Sequence, residues 1–291
     1  MAPAAAPSPP ANLPGALGLY AKAVVGGLTK KNGTLPDLTL VLKSHSIDRA
    51  HLADYNRVCG FPLRETVSST YLHILTFPLQ MLLMTDASFP YALMGLVHVR
   101  NRIEQLRPVR AGETLRFSTT VGNLQPHDKG VTFDLISEAF VGSEKVWVGV
   151  STYLRRQPVP KTDKPARAER PAKVAAEKPK ASAFWQIPGD IGRRYGAISG
   201  DRNPIHLYAA TAKLLGFPRA IAHGMWTKAA CLAAIESRLP AAYSVDVQFK
   251  LPVLLPAKVA FSSEPTSDGF NFAVNDARKG RPHVSGVVTS L

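Results

Sequence analysis

Between Arg155 and Ala183 the chain reads RRQPVPKTDKPARAERPAKVAAEKPKASA, with five prolines, nine bases, three acids and no hydrophobic period. A stretch of that kind cannot bury enough apolar surface to offset its ordering entropy, so it reads as a semi-extended basic linker. It divides the 291 residues into an N-terminal arm (1–36) and two blocks of ordinary domain size, 37–154 and 184–291. Any fold proposed for this chain must therefore be built twice, or be two folds.

The two blocks share a pattern. Asp54-Tyr55-Asn56-Arg57-Val58-Cys59-Gly60 parallels Arg194-Tyr195-Gly196-Ala197-Ile198-Ser199-Gly200 at an offset of 140. Pro108 to Leu115 parallels Pro252 to Val259 at 144, and Val148 to Thr152 parallels Ser285 to Thr289 at 137. Three matches in order with small drifts in offset point to a duplicated unit. Each unit reads as helix signals followed by strands. His223 to Arg238 is rich in helix formers and stops before Pro240. Strands are predicted near Tyr243–Leu251, Lys258–Ser263, Asn271–Val274 and His283–Ser290, with Ser267-Asp268-Gly269 and Lys279-Gly280 as turns. The first block predicts strands near Leu96–Glu104, Thr114–Val121, Val131–Glu138 and Lys145–Leu154. A helix followed by antiparallel strands is an α+β layout, with the helix packed on a curved sheet.

The chemistry is concentrated in YGAISGDRNPIHLYAATAKLLGFPRAIAHGMWT, residues 195–227. Here Tyr195, Ser199-Gly200-Asp201, Asn203-Pro204, His206, Gly216-Phe217 and Ile221-Ala222-His223-Gly224-Met225 fall at fixed spacings. This resembles the signature of the MaoC-type, R-specific enoyl-CoA hydratase (hydratase 2) family, Y-x-x-x-S-G-D-x-N-P-x-H followed by G-F and I-x-H-G-M, with no signature position missing. The resemblance implies a double hot-dog fold, two tandem units each with a long helix wrapped by an antiparallel sheet. It also implies a hydro-lyase that interconverts trans-2-enoyl-CoA and (R)-3-hydroxyacyl-CoA without a metal or redox cofactor, the coenzyme A or phosphopantetheine thioester being the substrate's carrier. The same chemistry on a carrier protein, a 3-hydroxyacyl-ACP dehydratase, and a non-catalytic thioester-binding hot-dog protein are the alternatives.

The residues themselves suit that reaction. Hydration of an α,β-unsaturated thioester needs a base for water, an acid for C2 and donors for an enolate-like oxygen. Asp201 and His206 are five residues apart across Asn203-Pro204, where a fixed proline φ and a backbone-bonding asparagine make a short rigid loop. The resemblance gives Asp201 and His206 the activation of water and Asn203 its placement; which of the pair serves C2 stays open. Gly224 falls where a helix begins, so its N–H is one of the unpaired amides at a helix N-terminus. By resemblance that N–H is the oxyanion donor. The first block lacks the pair, since Phe61 stands at the place of Asp201 and no N-P-x-H follows. A further alignment sets Thr76-Phe77-Pro78-Leu79 against Ala222-His223-Gly224-Met225, which puts Pro78, without an N–H, at the place of Gly224. By family analogy a looser helix region in this block leaves room for a longer acyl chain.

Other residues carry weaker signals. His223 reads equally as a catalytic part or as a loop histidine holding neighbouring backbone. Tyr195, at helical spacing from Ile191 and Ile198, reads as packing or as a substrate contact. Arg219 and Lys250, with Arg202 and Lys213, are candidates to meet the phosphates of the thioester carrier. Cys59 and Cys231 read as small buried hydrophobes, and no C-x-x-C pair exists to hold zinc. Trp147, Trp185 and Trp226 read as core or wall.

Net charge is +14, but the arm carries +3 and residues 155–183 carry +6, leaving +5 for the rest. With no interleaved aromatics, that distribution argues against nucleic acid and suits a phosphate-tailed ligand. No apolar run reaches the ~18–20 residues of a membrane span. Gly15–Leu28, interrupted by Gly26-Gly27, reads as a docking segment rather than an anchor, and the Ala/Pro-rich start lacks the parts of a secretory signal. The expectation is a cytoplasmic enzyme, either a monomer whose two units form a pseudo-dimer or a homodimer.

Overall fold

A computed structural model describes residues 33–157 and 181–291. Most of the arm, including Gly15–Leu28, and most of the basic segment lie outside the described residues.

The first unit runs β1 (Thr39–Ser46), α1 (Arg49–Cys59), β2 (Thr66–Val67), α2 (Ser69–Thr85), β3 (Leu96–Gln105), β4 (Val109–Arg110), β5 (Thr114–His127), β6 (Gly130–Val141) and β7 (Glu144–Arg156). The second runs β8 (Ala183–Ile187), α3 (Ile191–Ser199), α4 (Pro204–Leu207), α5 (Ala209–Leu214), α6 (Gly224–Ile235), β9 (Tyr243–Phe249), β10 (Ala257–Pro265), β11 (Gly269–Asp276) and β12 (Pro282–Ser290). Every strand read from the sequence is present. The strand ending the first unit extends to Arg156, because Arg155 and Arg156 still pair with Val131 and Gly130, and β8 opens at Ala183 opposite Phe261, so three residues read as linker belong to the sheet.

Ten strands form one antiparallel sheet in the order β1-β5-β6-β7-β3-β9-β12-β11-β10-β8. The order is palindromic: β3 and β9 pair at the centre, Asn101 opposite Val247 and Ile103 opposite Val245, and equivalent strands follow outward on each side. Along β5, Leu115, Phe117, Thr119 and Val121 turn inward in alternation, and Tyr243, Val245 and Val247 do the same along β9. Helix α2 packs on β1, β3, β5, β6 and β7, and α6 on β12, so each unit is a helix held against its own half-sheet. This is the double hot-dog architecture. One buried apolar cluster runs through both units, from Tyr55, Tyr71 and Trp147 to Met225, Leu232 and Val259.

The repeat is visible in local geometry. Helices α1 and α3 both end at a left-handed glycine, Gly60 (φ 87°) and Gly200 (φ 75°), which only glycine adopts without steric cost. The alignment around Pro78 is corrected. Helix α2 begins at Ser69 behind the cap Ser68, as α6 begins at Gly224 behind His223, so Ser69 holds the place of Gly224 and Pro78 lies mid-helix. The Ser69 hydroxyl accepts from Tyr243 Oη at 2.9 Å, and its carbonyl accepts from Trp147 Nε1 at 2.9 Å. The first unit's helix start is thus occupied by side chains. Nor is α2 loose: it runs unbroken for 17 residues, and its second half packs into a separate buried cluster of Phe77, Met81, Met84, Phe89, Tyr91, Phe133 and Leu135. No helix among the described residues is long and apolar enough to cross a membrane.

Candidate active site

The signature segment folds as a chain of short caps. The αL glycine Gly200 turns the chain out of α3, and Asp201 N–H is received by Ser199 Oγ at 3.2 Å. Asp201 Oδ1 accepts from Asn203 N–H at 3.2 Å, and Asn203 Oδ1 accepts from Ile205 N–H as the N-cap of α4, with Pro204 in the first turn. That cap occupies the amide oxygen of Asn203, so its NH₂ is the part that can serve a water. Helix α3 approaches this loop through two glycines one turn apart. A Cβ at Gly192 would lie 2.0 Å from the His206 carbonyl oxygen, and one at Gly196 would lie 2.8 Å from the Asp201 carbonyl oxygen.

His206 is buried and donates Nδ1–H to the Ile221 carbonyl at 2.8 Å, which leaves Nε2 as the basic nitrogen. Burial lowers its pKa, opposed by the Asp201 charge and the bond to Ile221, so the ring is held neutral below the usual range. His223 stacks on it, with ring centroids 3.7 Å apart at 25°, and donates Nε2–H to the Asp201 carbonyl at 2.9 Å. Burial, and then the His206 ring, pull the His223 pKa down to about 3. Of the two readings of His223, the geometry supports the one that holds backbone: it fixes Asp201 and backs His206. Tyr195 lies behind it, buried, its ring 5.0 Å from that of His223, and does not line the cavity.

Ligand atoms of Asp201, His206 and His223 fall within 4.8 Å of one another, the spacing of a metal-binding group. Imidazole lone pairs lie in the ring plane, however, and two stacked rings point them side by side rather than at one point. The donor set does not fit a shared ion.

These groups face a cavity of about 580 Å³, a size ordinary for a small-molecule site. Asp201, Asn203, His206, His223 and Gly224 all line it. Gly224 is the first residue of α6, and His223 gives that helix no side-chain cap. The ring of Phe249 leans so close that a Cβ on Gly224 would come within 2.9 Å of it. Lys250 lines the mouth, its Nζ bonded to Gln248 Oε1. Arg219, Arg202 and Lys213 are exposed outside the lining, Arg219 reaching only the Pro256 carbonyl at 3.4 Å. Cys59 and Cys231 are buried, their thiol pKa values raised by burial, and Trp147 and Trp226 are core residues.

The structure adds groups that sequence reasoning missed. The far wall comes from the first unit: Met94, Leu96, Val97, His98 and Tyr153, with Arg156 at the rim. His98 stacks on Tyr153 at 4.7 Å and meets Phe249 edge-on at 5.0 Å. Lys228, fully buried on α6 one turn beyond Gly224, donates to Asn101 O (3.1 Å), Asn101 Oδ1 (2.6 Å) and Val245 O (3.1 Å). The three acceptors lie on β3 and β9, so this side chain ties the helix to both central strands, while burial holds its pKa well below the ordinary lysine value against the opposing charge of Asp246. It is the sole charge between Gly224 and Ile235, a signal that was available in the sequence.

Comparison with known proteins follows the same lines. Residues 159–283 match the MaoC like domain. A 3-hydroxyacyl-thioester dehydratase X from Mycobacterium tuberculosis is 36% identical over 272 residues, spanning 93% of this chain and 96% of that one. The chain belongs to the MaoC-like family. The crystal structure of that relative, HtdX, superposes with a TM-score of 0.76, covering 87% of this chain and all of the other. Two more distant structures share the fold. A MaoC-like dehydratase from Phytophthora capsici is 19% identical (TM-score 0.70; 92% and 97% covered). A double hot-dog protein of M. tuberculosis is 14% identical (TM-score 0.53; 92% and 99% covered).

Proposed function

We propose that this MaoC-like protein is a hydro-lyase that interconverts a trans-2-enoyl thioester and an (R)-3-hydroxyacyl thioester by adding or removing water. One observation carries the reading: an unprotonated His206 Nε2, the Asp201 carboxylate and the uncapped Gly224 N–H all border one cavity. The name of the M. tuberculosis relative supports it.

In the hydration direction, the water lies between Asp201 and His206, with the Asn203 NH₂ orienting it. The dyad takes one proton as oxygen bonds to C3, and a proton is returned to C2, so the dyad ends as it began. Positioned acid–base groups of this kind contribute about 10²–10⁴ in rate. Negative charge gathers meanwhile on the thioester oxygen, where the Gly224 N–H and the start of α6 receive it. A donor so placed is worth about 10²–10³. The acyl tail runs toward Met94, Leu96 and Tyr153, and the phosphopantetheine arm leaves past Lys250 and Arg156. Coenzyme A and a carrier protein both present that arm.

The test is to supply the purified chain with short, medium and long trans-2-enoyl-CoAs and to determine the configuration of the product. Asp201→Asn and His206→Ala should each lower kcat by at least ~10² with unchanged circular dichroism. Parental activity in either variant, or an S product, refutes the assignment.

A further inference from the structure

One polar group on the far wall of the cavity has no part in the hydration chemistry. Tyr153, on β7 of the first unit, lines that wall with its ring covered on both faces. Phe133 lies on one side (centroids 5.9 Å apart, 18°) and His98 on the other (4.7 Å, 16°), and Tyr91 extends the stack beyond Phe133 at 5.7 Å. A β-bulge at Val99 sets this geometry. The register slips there, His98 faces Tyr153 across β3 and β7, and the pairing of β3 with β9 begins only at Arg100. Leu96, Val97 and His98 lie beyond that central seam and line the cavity.

Phenylalanine would meet these ring contacts equally well, so packing does not account for the hydroxyl. Tyr153 Oη makes no hydrogen bond among the described residues, yet it is not one of the oxygens sealed away from solvent without a partner, so the cavity reaches it. Burial, and then the Asp201 charge, raise its pKa above the usual tyrosine value, so it stays an O–H donor. His98 beside it is neutral, its pKa pulled down to about 4 by burial and then by nearby Lys228, and its Nε2 is closed off from solvent. This stretch of wall therefore presents one donor, uncharged and fixed by the stack. A plain hydrocarbon tail passing Met94 and Leu96 would displace water from that hydroxyl and return no hydrogen bond, which weakens binding. A tail carrying an oxygen at the matching carbon would restore the bond. A carboxylate is the poorer match, because the Asp201 charge lies within reach of the same hydroxyl.

We propose that Tyr153 is a specificity-determining residue, its hydroxyl donating to a neutral oxygen, hydroxyl or carbonyl, carried on the acyl chain beyond the reacting carbons. The proposal rests on the hydro-lyase reading and adds to it the class of acyl group. The two units then divide the work: the second holds the dyad, and the first selects the acyl chain.

The experiment uses medium-chain trans-2-enoyl-CoAs that differ by a single hydroxyl, placed in turn at each carbon beyond C4, with the unsubstituted chain as reference. The full polypeptide and its Tyr153→Phe variant are assayed on the whole series. The parent should favour at least one hydroxylated substrate over the unsubstituted one by at least ~10-fold in kcat/KM. Tyr153→Phe should bring that ratio to within about threefold of unity, with KM rising for the hydroxylated substrate and falling for the unsubstituted one, which no longer strands a hydroxyl. A parent that turns over the series but favours no hydroxylated member would overturn the specificity proposal and leave the hydro-lyase reading standing. So would a Tyr153→Phe variant that keeps the parent's ratio. Turnover of no member by the parent would overturn both.

Discussion

Gly192→Ala tests whether the packing of α3 against the catalytic loop sets the reaction geometry. Alanine is the better helix former by about 1 kcal/mol, so intrinsic propensity alone favours the substitution. Sterics oppose it. The new Cβ would lie 2.0 Å from the His206 carbonyl oxygen, where contacts below 3.0 Å are not tolerated. The obstacle is backbone, so no side-chain rotation relieves it. Helix and loop must separate by about 1 Å, at a cost of about 1–3 kcal/mol. If His206 carries that shift, its 2.8 Å bond to Ile221 stretches beyond hydrogen-bonding range and Nε2 loses its aim. A misplacement of about 1 Å costs about 10² in rate. The assay is kcat from the loss of enoyl absorbance, with Tm measured alongside. Gly122→Ala is the control, since a Cβ there meets nothing within 4 Å. If Gly192→Ala keeps kcat within about threefold and Tm unchanged, the close approach does not position the dyad and the reasoning fails.

Other expectations follow from the same site. His73 and His223 are buried and neutral with pKa values near 3, so the unfolded chain binds more protons below about pH 6.5, and native stability falls as pH drops. At pH 5 the loss should be about 2 kcal/mol per histidine, read as a shift in urea midpoint; a pH-independent midpoint refutes it. Because the His206 pKa is lowered, the acidic limb of kcat should lie below the 6.5 of free imidazole, and a limb above 6.5 would contradict a neutral base. Lys228→Met strands three oxygens on β3 and β9 and should lower stability by about 2–4 kcal/mol; chemical denaturation would show an unchanged or raised value if those bonds are dispensable. Gly224→Ala should depress kcat by about 10² through its clash with Phe249, and Phe249→Leu in the same chain should recover part of it. No recovery would mean that the ring is not the obstacle.

The sequence already contained the duplication, the main strands and the catalytic cluster, because each is written locally. Alternating apolar residues mark β5 and β9, and the spacing from Tyr195 to Met225 is compressed into one segment. What it did not contain is contact across the chain. The far wall of the cavity comes from His98 and Tyr153, and His98 lies more than a hundred residues before Phe249, the ring with which it packs. Lys228 was visible as a lone charge on an apolar helix, but its partners on two different units were not. β1 and β8 are the outermost strands of the sheet, flanking the arm and the basic segment, and their mixed burial leaves little alternation to read. The alignment of Pro78 with Gly224 failed for a related reason: it matched residues along the chain, whereas packing on five strands holds α2 unbroken from Ser69 and leaves Pro78 inside it.

Ser69 has a consequence for counting. Where the second unit opens a helix N-terminus to the cavity, the first fills the equivalent position with the Tyr243 hydroxyl and the Trp147 indole. Joining two units in one polypeptide lets one of them give up its reaction centre without losing the sheet they share. A slow, tight inhibitor directed at the dyad should therefore titrate one equivalent per polypeptide, half the number that two intact copies of the second unit would bind. Restoring the missing equivalent would take more than Ser69→Gly, because the tyrosine that closes the vestige begins β9, the central strand on which the working half is built.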